Sequence, residues 1–355
     1  MLTTESLRDY ALNVLGVDKL GVANIERFDS APDDMNPRFI MPKARSVIVY
    51  LKRIVRGTCR GVDEGTNWSS YHIFSYAGLG QMLGLAKDRL LRHIEQHGYD
   101  ATPLSAVASS REFGPKAPPA APGLPPREVV IQHRIAGTLA GLGEIGWSKV
   151  FLTKEFGPRQ RLGVILTDAE LEPDPIVTGE LCDRCMRCVA ECPAGAIDPD
   201  RSVGIEVEGH RIEWNDLDLG KCKLTHFGLN KLSGPFFAKR FPGVSFPVAD
   251  QEVTWLEAWD MGWAMFPTMP ALSALSASPV ASCGARGCII ACMKHLETTG
   301  VLETKFRTAP GFSDGEPWRL DEKPGHLESD HKGFVWDPDK PEVEKPEPSD
   351  GKGWY

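Results

Sequence analysis

The stretch ELCDRCMRCVAECPAGAI, residues 180–197, places four cysteines at a short and regular spacing. Cys182, Cys185, Cys188 and Cys192 follow the pattern C-x2-C-x2-C-x3-C, and a proline comes directly after the last of them. This is the spacing of a [4Fe–4S] ligand run, in which three thiolates bind one cluster and the fourth binds a second cluster. Zinc sites usually pair two C-x2-C units, so the third cysteine at the same spacing favours iron and sulfur over zinc.

The other cysteines complete a set of eight predicted ligands. Cys222 stands alone, and the segment CGARGCIIAC, residues 283–292, supplies three more. We expect two [4Fe–4S] clusters, one bound by Cys182, Cys185, Cys188 and Cys292, the other by Cys192, Cys222, Cys283 and Cys288. The spacing C-x4-C-x3-C in the second segment departs from that of the bacterial ferredoxin run. Eight cysteines therefore predict two clusters more directly than they predict which cysteine binds which cluster. Cys59 is left over and is predicted to be a small, partly buried thiol without a ligand role.

Composition places the chain among ordinary globular proteins. Its 355 residues suffice for two domains, and 42% are apolar and 25% charged. The net charge of −8 provides no global basic field that would attract nucleic acid. The first residues lack the basic start and apolar run of a signal peptide, and no apolar stretch reaches the length of about 18 residues that a membrane helix needs. We expect a cytoplasmic protein whose cysteines are metal ligands rather than disulfides, because the cytosol keeps thiols reduced.

The rest of the chain predicts strands interleaved with helices. LGVANI (20–25) and SVIVYL (46–51) have strand character, residues 71–98 have helical character, and 149–168 predict a hairpin around a Gly-Pro turn. Prolines in 106–128 predict a loop. Trp255, Trp259 and Trp263 share one helical face, which favours a helix packed on the core over a surface for a substrate or partner.

The segment GLGEIG, residues 141–146, matches the G-x-G-x-x-G pattern of dinucleotide-binding loops. That loop follows a strand and opens a helix, whereas this segment follows a helical stretch and precedes strand-like residues. The context therefore disfavours a dinucleotide site.

The order of several segments resembles that of the corrinoid-dependent reductive dehalogenases and their relatives, the epoxyqueuosine reductases. The segments are LGVANI, PKARSVIVYL, HIEQHGYDATPL, AGLGEIGWSKVFLTKEFGPRQRLGVILTD and CDRCMRCVAECPAGAI. The resemblance spans about residues 10–200 and resumes at 283–292. It implies an α+β (α/β) fold, with a nitroreductase-like core binding base-off cobalamin and a ferredoxin-like double [4Fe–4S] domain. The expected divisions are 1–170, 171–308 with an aromatic insert at 223–282, and an acidic, proline-rich tail at 309–355.

The resemblance also implies roles for individual residues. Arg161 is placed like the arginine that attracts the leaving halide, with Arg159 as the alternate, and Tyr71 or Tyr76 is the expected proton donor. His133 would donate a proton or contact the corrinoid. Salt bridging or core packing would explain each of these residues equally well. The expected corrinoid contacts are Gly141, Gly143, Glu144, Gly146, Trp147 and Lys149.

The resemblance and the predicted clusters together suggest three functions. The leading one is reductive cleavage of a carbon–halogen bond in a small organic substrate, with electrons from an external ferredoxin, flavodoxin or reductase. An epoxyqueuosine-type tRNA reductase is the alternative, disfavoured because Val130 stands near the place of the catalytic aspartate of those enzymes. An electron-transfer or corrinoid-reactivating protein without a substrate pocket is the third. We expect no membrane partner. A nucleic acid is an expected partner only if the protein is the tRNA reductase of the alternative.

Overall fold

The computed structural model describes residues 2–64, 67–104, 119, 121–124, 129–229, 253–268, 283 and 287–302. All nine cysteines are among them. The predicted tail 309–355 lies outside the described residues, as do most of the predicted loop 106–128 and most of the predicted insert 223–282.

A four-stranded antiparallel sheet forms the centre of the first half of the chain, and its strands in spatial order are β1 (Lys19–Asn24), β2 (Ser46–Arg53), β6 (Gln160–Thr167) and β3 (Ala101–Pro103). Two separate hairpins are formed by β4 (Glu144–Ile145) with β5 (Phe151–Leu152) and by β7 (Ser202–Val207) with β8 (His210–Asn215). The strands predicted at 20–25 and 46–51 are confirmed as β1 and β2.

Helices connect and cover these strands. They are α1 (Thr4–Asp9), α2 (Arg56–Glu64), α3 (Leu79–Gln96), α4 (His133–Leu139), α5 (Arg187–Ala190), α6 (Leu219–His226), α7 (Trp255–Met265) and α8 (Cys288–Thr299). Segments of π-helix extend α1 over Tyr10–Val14 and precede α3 over Ser70–Gly78, so the helix predicted at 71–98 is confirmed. None of the described helices has the length and apolarity to cross a bilayer.

The central sheet is buried on both faces. In β2, Val47, Val49 and Leu51 pack toward one core, while Ile48 and Tyr50 pack toward the other, as the two-residue period of a strand requires. The second core is completed by α3, whose inward residues are Leu83, Ala86, Leu90 and Ile94. The first core is completed by α4 and by the β7–β8 hairpin.

The hairpin predicted for residues 149–168 is wrong. β5 pairs with β4, whereas β6 pairs with β2 and β3 in the central sheet. A tight turn closed by the Thr153–Gly157 bridge separates the two strands. Val164 and Leu166 of β6 are fully buried in the first core, where β6 lies between β2 and β3 in the sheet.

The first core continues past residue 170. Val207 of β7 and Ile212 and Trp214 of β8 belong to the same hydrophobic cluster as Val47 and Val49 of the central sheet. The cysteine loop lies between these segments in sequence. The sheet and the cysteine region therefore share a core, and the predicted domain division at residue 170 stays a prediction.

Candidate metal centres and active site

Backbone conformation curls the first cysteine loop around a cavity. Arg184 and Met186 have φ values of 56°, a left-handed conformation that costs a residue other than glycine of order 1 kcal/mol or more. The two residues flank Cys185 and turn the chain so that Cys182, Cys185 and Cys188 line one cavity. Such strain is typical of functional loops, where the surrounding structure holds it in place.

Helix α8 supplies the fourth thiol of this cavity, that of Cys292. Cys182 and Cys292 both pack against a small apolar cluster centred on Leu152, Leu181 and Leu296. Desolvation raises the pKa of the Cys292 thiol, and the neighbouring thiols of the loop raise it further. Desolvation likewise raises the pKa of Cys188 to about 11. This is the group of four that the sequence predicts, and we call it the first cysteine set.

The other four predicted ligands also influence one another. Desolvation raises the pKa of Cys222 to about 12, with further contributions from Cys283 and Cys192. Cys288 has its pKa raised well above the usual value by desolvation and by these same three thiols. Cys192, Cys222, Cys283 and Cys288 form the second cysteine set. Cys188 of the first set also acts on Cys288, so the two sets adjoin.

A glycine allows the second set to assemble. Gly287, directly before Cys288, has a φ of 84°. A Cβ at this position would lie 2.5 Å from the carbonyl oxygen of Glu191 and 2.9 Å from Cδ of Pro193. The start of α8 therefore reaches the Cys192–Pro193 turn because residue 287 has no side chain.

The donor chemistry of both sets fits iron–sulfur clusters. Metal ligation requires thiolates, and thiolates at such close quarters repel one another unless a cation compensates them. Two sets of four sulfurs match the four ligands that each [4Fe–4S] cluster takes from a protein. Backbone N–H groups already point at sulfur, because Trp147 donates to Sγ of Cys182 at 3.3 Å and Ala196 donates to Sγ of Cys192 at 3.4 Å.

Glu144 binds the backbone segment that leads into the first cysteine set. Its carboxylate is 4% exposed and accepts three backbone N–H bonds, from Glu180 at 2.9 Å, Leu181 at 3.1 Å and Cys182 at 2.6 Å. Hydrogen bonds to a charged acceptor are stronger than neutral ones. Through these three hydrogen bonds, Glu144 fixes the backbone that leads into the cysteine loop.

The remaining predicted corrinoid contacts surround Glu144 and pack closely on protein. A Cβ at Gly143 would lie 2.0 Å from the carbonyl oxygen of Leu152, and one at Gly141 would lie 2.4 Å from that of Pro175. Close approach of the chain therefore explains these glycines. The other three predicted residues also lie at this turn. Gly146 approaches Leu152, and Lys149 is buried with a φ of 61°. Trp147 donates from Nε1 to the carbonyl oxygen of Asp198 at 3.2 Å, and the Arg184 guanidinium lies over its ring. Their predicted corrinoid contacts stay predictions.

Three of the predicted catalytic residues meet at one place. Nη2 of Arg161 donates to the Tyr71 hydroxyl at 3.3 Å, and the guanidinium lies 4.0 Å from the centre of the Tyr76 ring. Nε of Arg161 is buried and has no hydrogen-bond partner among the described residues. Burial raises the pKa of Tyr71 above its usual value, and the charge of Arg161 opposes that rise. We call these three residues the arginine cluster.

The other two candidates lie elsewhere. Arg159, the alternate arginine, is 2% exposed and donates from Nη1 to the carbonyl oxygen of Ile54 at 2.8 Å. His133 is buried at the first position of α4. Cys59 is fully buried, rather than partly buried as predicted, in an apolar cluster that also contains Tyr71.

His226 is a residue that the sequence reasoning missed. It ends α6, its Nδ1 lies 3.7 Å from Sγ of Cys283, and its ring centre lies 5.7 Å from that of Tyr76. Desolvation lowers the pKa of His226 well below its usual value, and positive charges that include Arg161 lower it further. The sequence feature that could have identified His226 is its position four residues after Cys222, which puts both side chains on one helical face.

The helix predicted from the three tryptophans is present as α7, and Trp255 and Trp259 pack as predicted, whereas Trp263 is 39% exposed. Trp255 and Trp259 of α7 stack with ring centres 5.0 Å apart, and Trp259 lies 5.5 Å from Phe227. Lys223, next to Cys222, places its ammonium between 4.8 and 5.0 Å from the centres of these three rings. The aromatic face of α7 therefore holds α6, which carries Cys222, in place.

Comparisons with known proteins agree with the chemistry of the loop. Residues 175–198 match the family model of the 4Fe-4S binding domain. The tetrachloroethene reductive dehalogenase of Desulfitobacterium hafniense is 45% identical over 65 residues, which cover 18% of this chain and 12% of the dehalogenase. The epoxyqueuosine reductase of Bacillus subtilis is 24% identical over 225 residues, which cover 54% of this chain and 51% of the reductase. The chain is a relative of both groups of enzymes.

The chain thus spans about half the length of the epoxyqueuosine reductases that it matches and a much smaller share of the dehalogenases. Among solved structures, an epoxyqueuosine reductase with a tRNA stem loop aligns over 84% of this chain and 82% of that one, at 15% identity and a TM-score of 0.41. A B12-dependent reductive dehalogenase aligns over 75% of this chain and 34% of that one, at 19% identity and the same TM-score. Of the predicted fold, the family-model match supports the 4Fe-4S domain, and the strands and helices of the structure itself are a mixed α/β architecture.

Proposed function

We propose that this protein is a cobalamin-dependent iron–sulfur reductase that removes a halogen from a small organic substrate. The observation that carries the proposal is the arginine cluster, Arg161 with Tyr71 and Tyr76, next to the second cysteine set. His226 contacts both Cys283 and the Tyr76 ring and so links the two. A charged, partly unbonded guanidinium beside a predicted redox centre suits a reaction that releases an anion.

The two cysteine sets suggest the direction of electron flow. Cys185 of the first set is exposed, whereas the second set lies beside the arginine cluster, in which Tyr71 is fully buried and Tyr76 and Arg161 are half-buried. Each [4Fe–4S] cluster carries one electron at a time, at a potential that its surroundings adjust. We place the entry of electrons at Cys185, from an external low-potential ferredoxin, flavodoxin or reductase, and their delivery at the arginine cluster.

The arginine cluster supplies the groups that the substrate needs. The guanidinium of Arg161 is a planar cation with several N–H donors, and we assign it the role of attracting the departing halide. The Tyr71 oxygen accepts a hydrogen bond from Arg161, which leaves the phenolic proton available for the substrate carbon. Since burial raises the pKa of Tyr71, the phenol keeps that proton at neutral pH until the carbon takes it.

The reaction balances with two electrons and one proton. The carbon–halogen bond breaks, a carbon–hydrogen bond forms, and the halide leaves as an anion toward Arg161. Cobalamin, when bound, supplies a strongly reducing cobalt centre for breaking the bond. The buried Nε of Arg161 is a polar atom that a bound group would satisfy, so we place substrate and corrinoid on the side of Arg161 and Tyr76.

Turnover by reconstituted protein tests this function. Anaerobic protein loaded with iron, sulfide and cobalamin and reduced by a strong donor should release chloride from tetrachloroethene or another organohalide. Absence of chloride release across aliphatic and aromatic organohalides, with all cofactors bound, would contradict the dehalogenase assignment.

Reduction of epoxyqueuosine in tRNA is the second candidate. The match of 225 residues to the Bacillus subtilis epoxyqueuosine reductase favours it, because that match covers more of this chain than the dehalogenase match does. Conversion of epoxyqueuosine to queuosine in tRNA from a reductase-null strain would establish this alternative. Protein that turns over neither substrate class would point to an electron-transfer role.

A further inference from the structure

His226 lies between the second cysteine set and the arginine cluster. Its Nδ1 is 3.7 Å from Sγ of Cys283, a separation suited to an N–H···S hydrogen bond, since sulfur is larger than oxygen. On its other side, the ring lies 5.7 Å from the Tyr76 ring, and the charge of Arg161 is close enough to affect its pKa.

Neighbouring elements hold the imidazole in this orientation. His226 follows Cys222 by one helical turn on α6, so the helix presents a predicted cluster ligand and the imidazole on the same side. Phe227 packs against the rings of α7 and closes the end of α6, with its ring centre 6.2 Å from that of His226. The Tyr76 ring also lies against the imidazole, at an angle of 57° to it.

We propose that His226 is a positioning residue that donates a hydrogen bond from Nδ1 to the sulfur of Cys283 and thereby sets the potential of the second cluster. The inference rests on the proposed function, because it requires a cluster bound by the second cysteine set. A hydrogen bond to cluster sulfur stabilises the additional negative charge of the reduced state and so raises the reduction potential. His226 would thus adjust the cluster nearest to the arginine cluster.

Two amide substitutions separate this role from a general packing role. In His226→Asn the side-chain amide reaches the place of Nδ1 and can keep the bond to sulfur. In His226→Gln the longer side chain carries its amide toward the place of Nε2 and loses that bond. His93→Gln is the matched control, since His93 lies on α3 and stacks on Tyr10.

The readout is a redox titration of the anaerobically reconstituted protein monitored by EPR, after iron and sulfide have been counted. We expect His226→Gln to shift one of the two midpoint potentials to more negative values, while His226→Asn and His93→Gln leave both potentials near those of the unsubstituted protein. The midpoint potential of the other cluster should be unchanged in every variant.

The outcomes distinguish this inference from the proposed function. Unchanged potentials in both His226 variants, with about eight irons per chain, would overturn the role of His226 and leave the two-cluster proposal intact. Loss of the second cluster in both variants would also overturn it, because His226→Asn retains the donor. An unsubstituted protein that binds only about four irons would instead refute the two-cluster proposal itself.

Discussion

Arg161 is the residue on which the proposed chemistry most depends. Its guanidinium contacts Tyr71 and Tyr76, and its Nε is buried without a hydrogen-bond partner among the described residues. We expect Arg161→Gln to reduce dehalogenation by about 100-fold or more, in line with the loss of one preorganised charged donor from an active site. Steady-state chloride release by reconstituted protein measures this change.

The control for this substitution is Arg45→Gln, which removes an exposed arginine that pairs with Glu170. Exposed pairs contribute about 1 kcal/mol or less, so this variant should keep both activity and stability. Equal activity of Arg161→Gln and Arg45→Gln, with cofactors retained, would remove Arg161 from the proposed active site.

Glu144 is expected to act on cluster assembly rather than on turnover directly. Glu144→Gln replaces one of the two acceptor oxygens by an NH2 group, which cannot accept from a backbone N–H, and each buried group left unsatisfied costs about 1–3 kcal/mol. The backbone entering Cys182 should loosen, so we expect about half of the iron to be lost on anaerobic reconstitution.

Glu155→Gln is the matched control for this substitution, because Glu155 pairs with Lys19 away from the cysteine loop. Full iron content in Glu144→Gln would contradict the proposed role of the carboxylate, and loss of iron in Glu155→Gln would show that the effect is not specific to the loop.

Among the helices and strands, α8 offers a direct test of how the second cysteine set assembles, through a substitution at its start. Gly287→Ala introduces a Cβ within 2.5 Å of the Glu191 carbonyl oxygen, so we expect loss of about half of the iron and a clear loss of stability. Gly300 at the other end of α8 also has a positive φ, of 74°, but a Cβ there would meet nothing within 4 Å.

Gly300→Ala therefore isolates the cost of the left-handed conformation, about 1 kcal/mol, from the steric clash. We expect it to retain its iron. Iron analysis and thermal unfolding of the two variants make the comparison, and equal behaviour of both would contradict the close approach of α8 to the Cys192–Pro193 turn.

The β7–β8 hairpin carries a pH-dependent interaction. Hydrogen bonds from Ser202, Arg184 and Arg211 lower the pKa of Glu213 from 4.5 to about 2. Because the folded pKa lies below the unfolded one, this stabilisation is present above about pH 4.5 and is lost as the pH falls toward 2. Glu213 is half-buried, and solvent screening limits its contribution to about 1 kcal/mol.

We therefore expect Glu213→Gln to lower the free energy of unfolding by up to about 1 kcal/mol at pH 7 and by progressively less below pH 4.5. Urea unfolding of both proteins between pH 7 and pH 3 measures the difference. A difference that grows as the pH falls would have the wrong sign.

Several elements could be predicted from the sequence because their signals are local. The apolar run of β2, the helical stretch predicted at 71–98 and the tryptophan spacing of α7 depend on residues close together in the chain. The pairing of β6 could not be predicted in this way. Its partner β2 lies more than a hundred residues earlier, and the Gly-Pro turn at 157–158 resembles that of a local hairpin.

The same contrast applies to the candidate site. Cysteine spacing predicts the ligands, since a cluster imposes a fixed geometry on short segments. The roles of Glu144 and His226 escaped the sequence reasoning, because their partners lie 36 to 57 residues away and are brought near by the fold. Arg161 and Tyr71, 90 residues apart, were proposed separately from a family resemblance, and the structure places them in contact.

On the scale of the whole molecule, the two cysteine sets connect the surface to the arginine cluster. The first set has an exposed member, the second adjoins it, and His226 leads from the second to Tyr76 and Arg161. The sheet that carries Arg161 shares a core with the β7–β8 hairpin that follows the cysteine loop. This arrangement suits a protein that accepts electrons at one end and uses them at the other.

Iron, sulfide and cobalt analysis of anaerobically purified protein incubated with cobalamin, with EPR before and after reduction, tests this account most directly. We predict about eight irons, about eight sulfides and about one cobalt per chain, with two interacting [4Fe–4S] signals on reduction. Protein that binds about four irons, or zinc in place of iron, would contradict the two clusters. Eight irons without uptake of cobalt would contradict the corrinoid-dependent reaction.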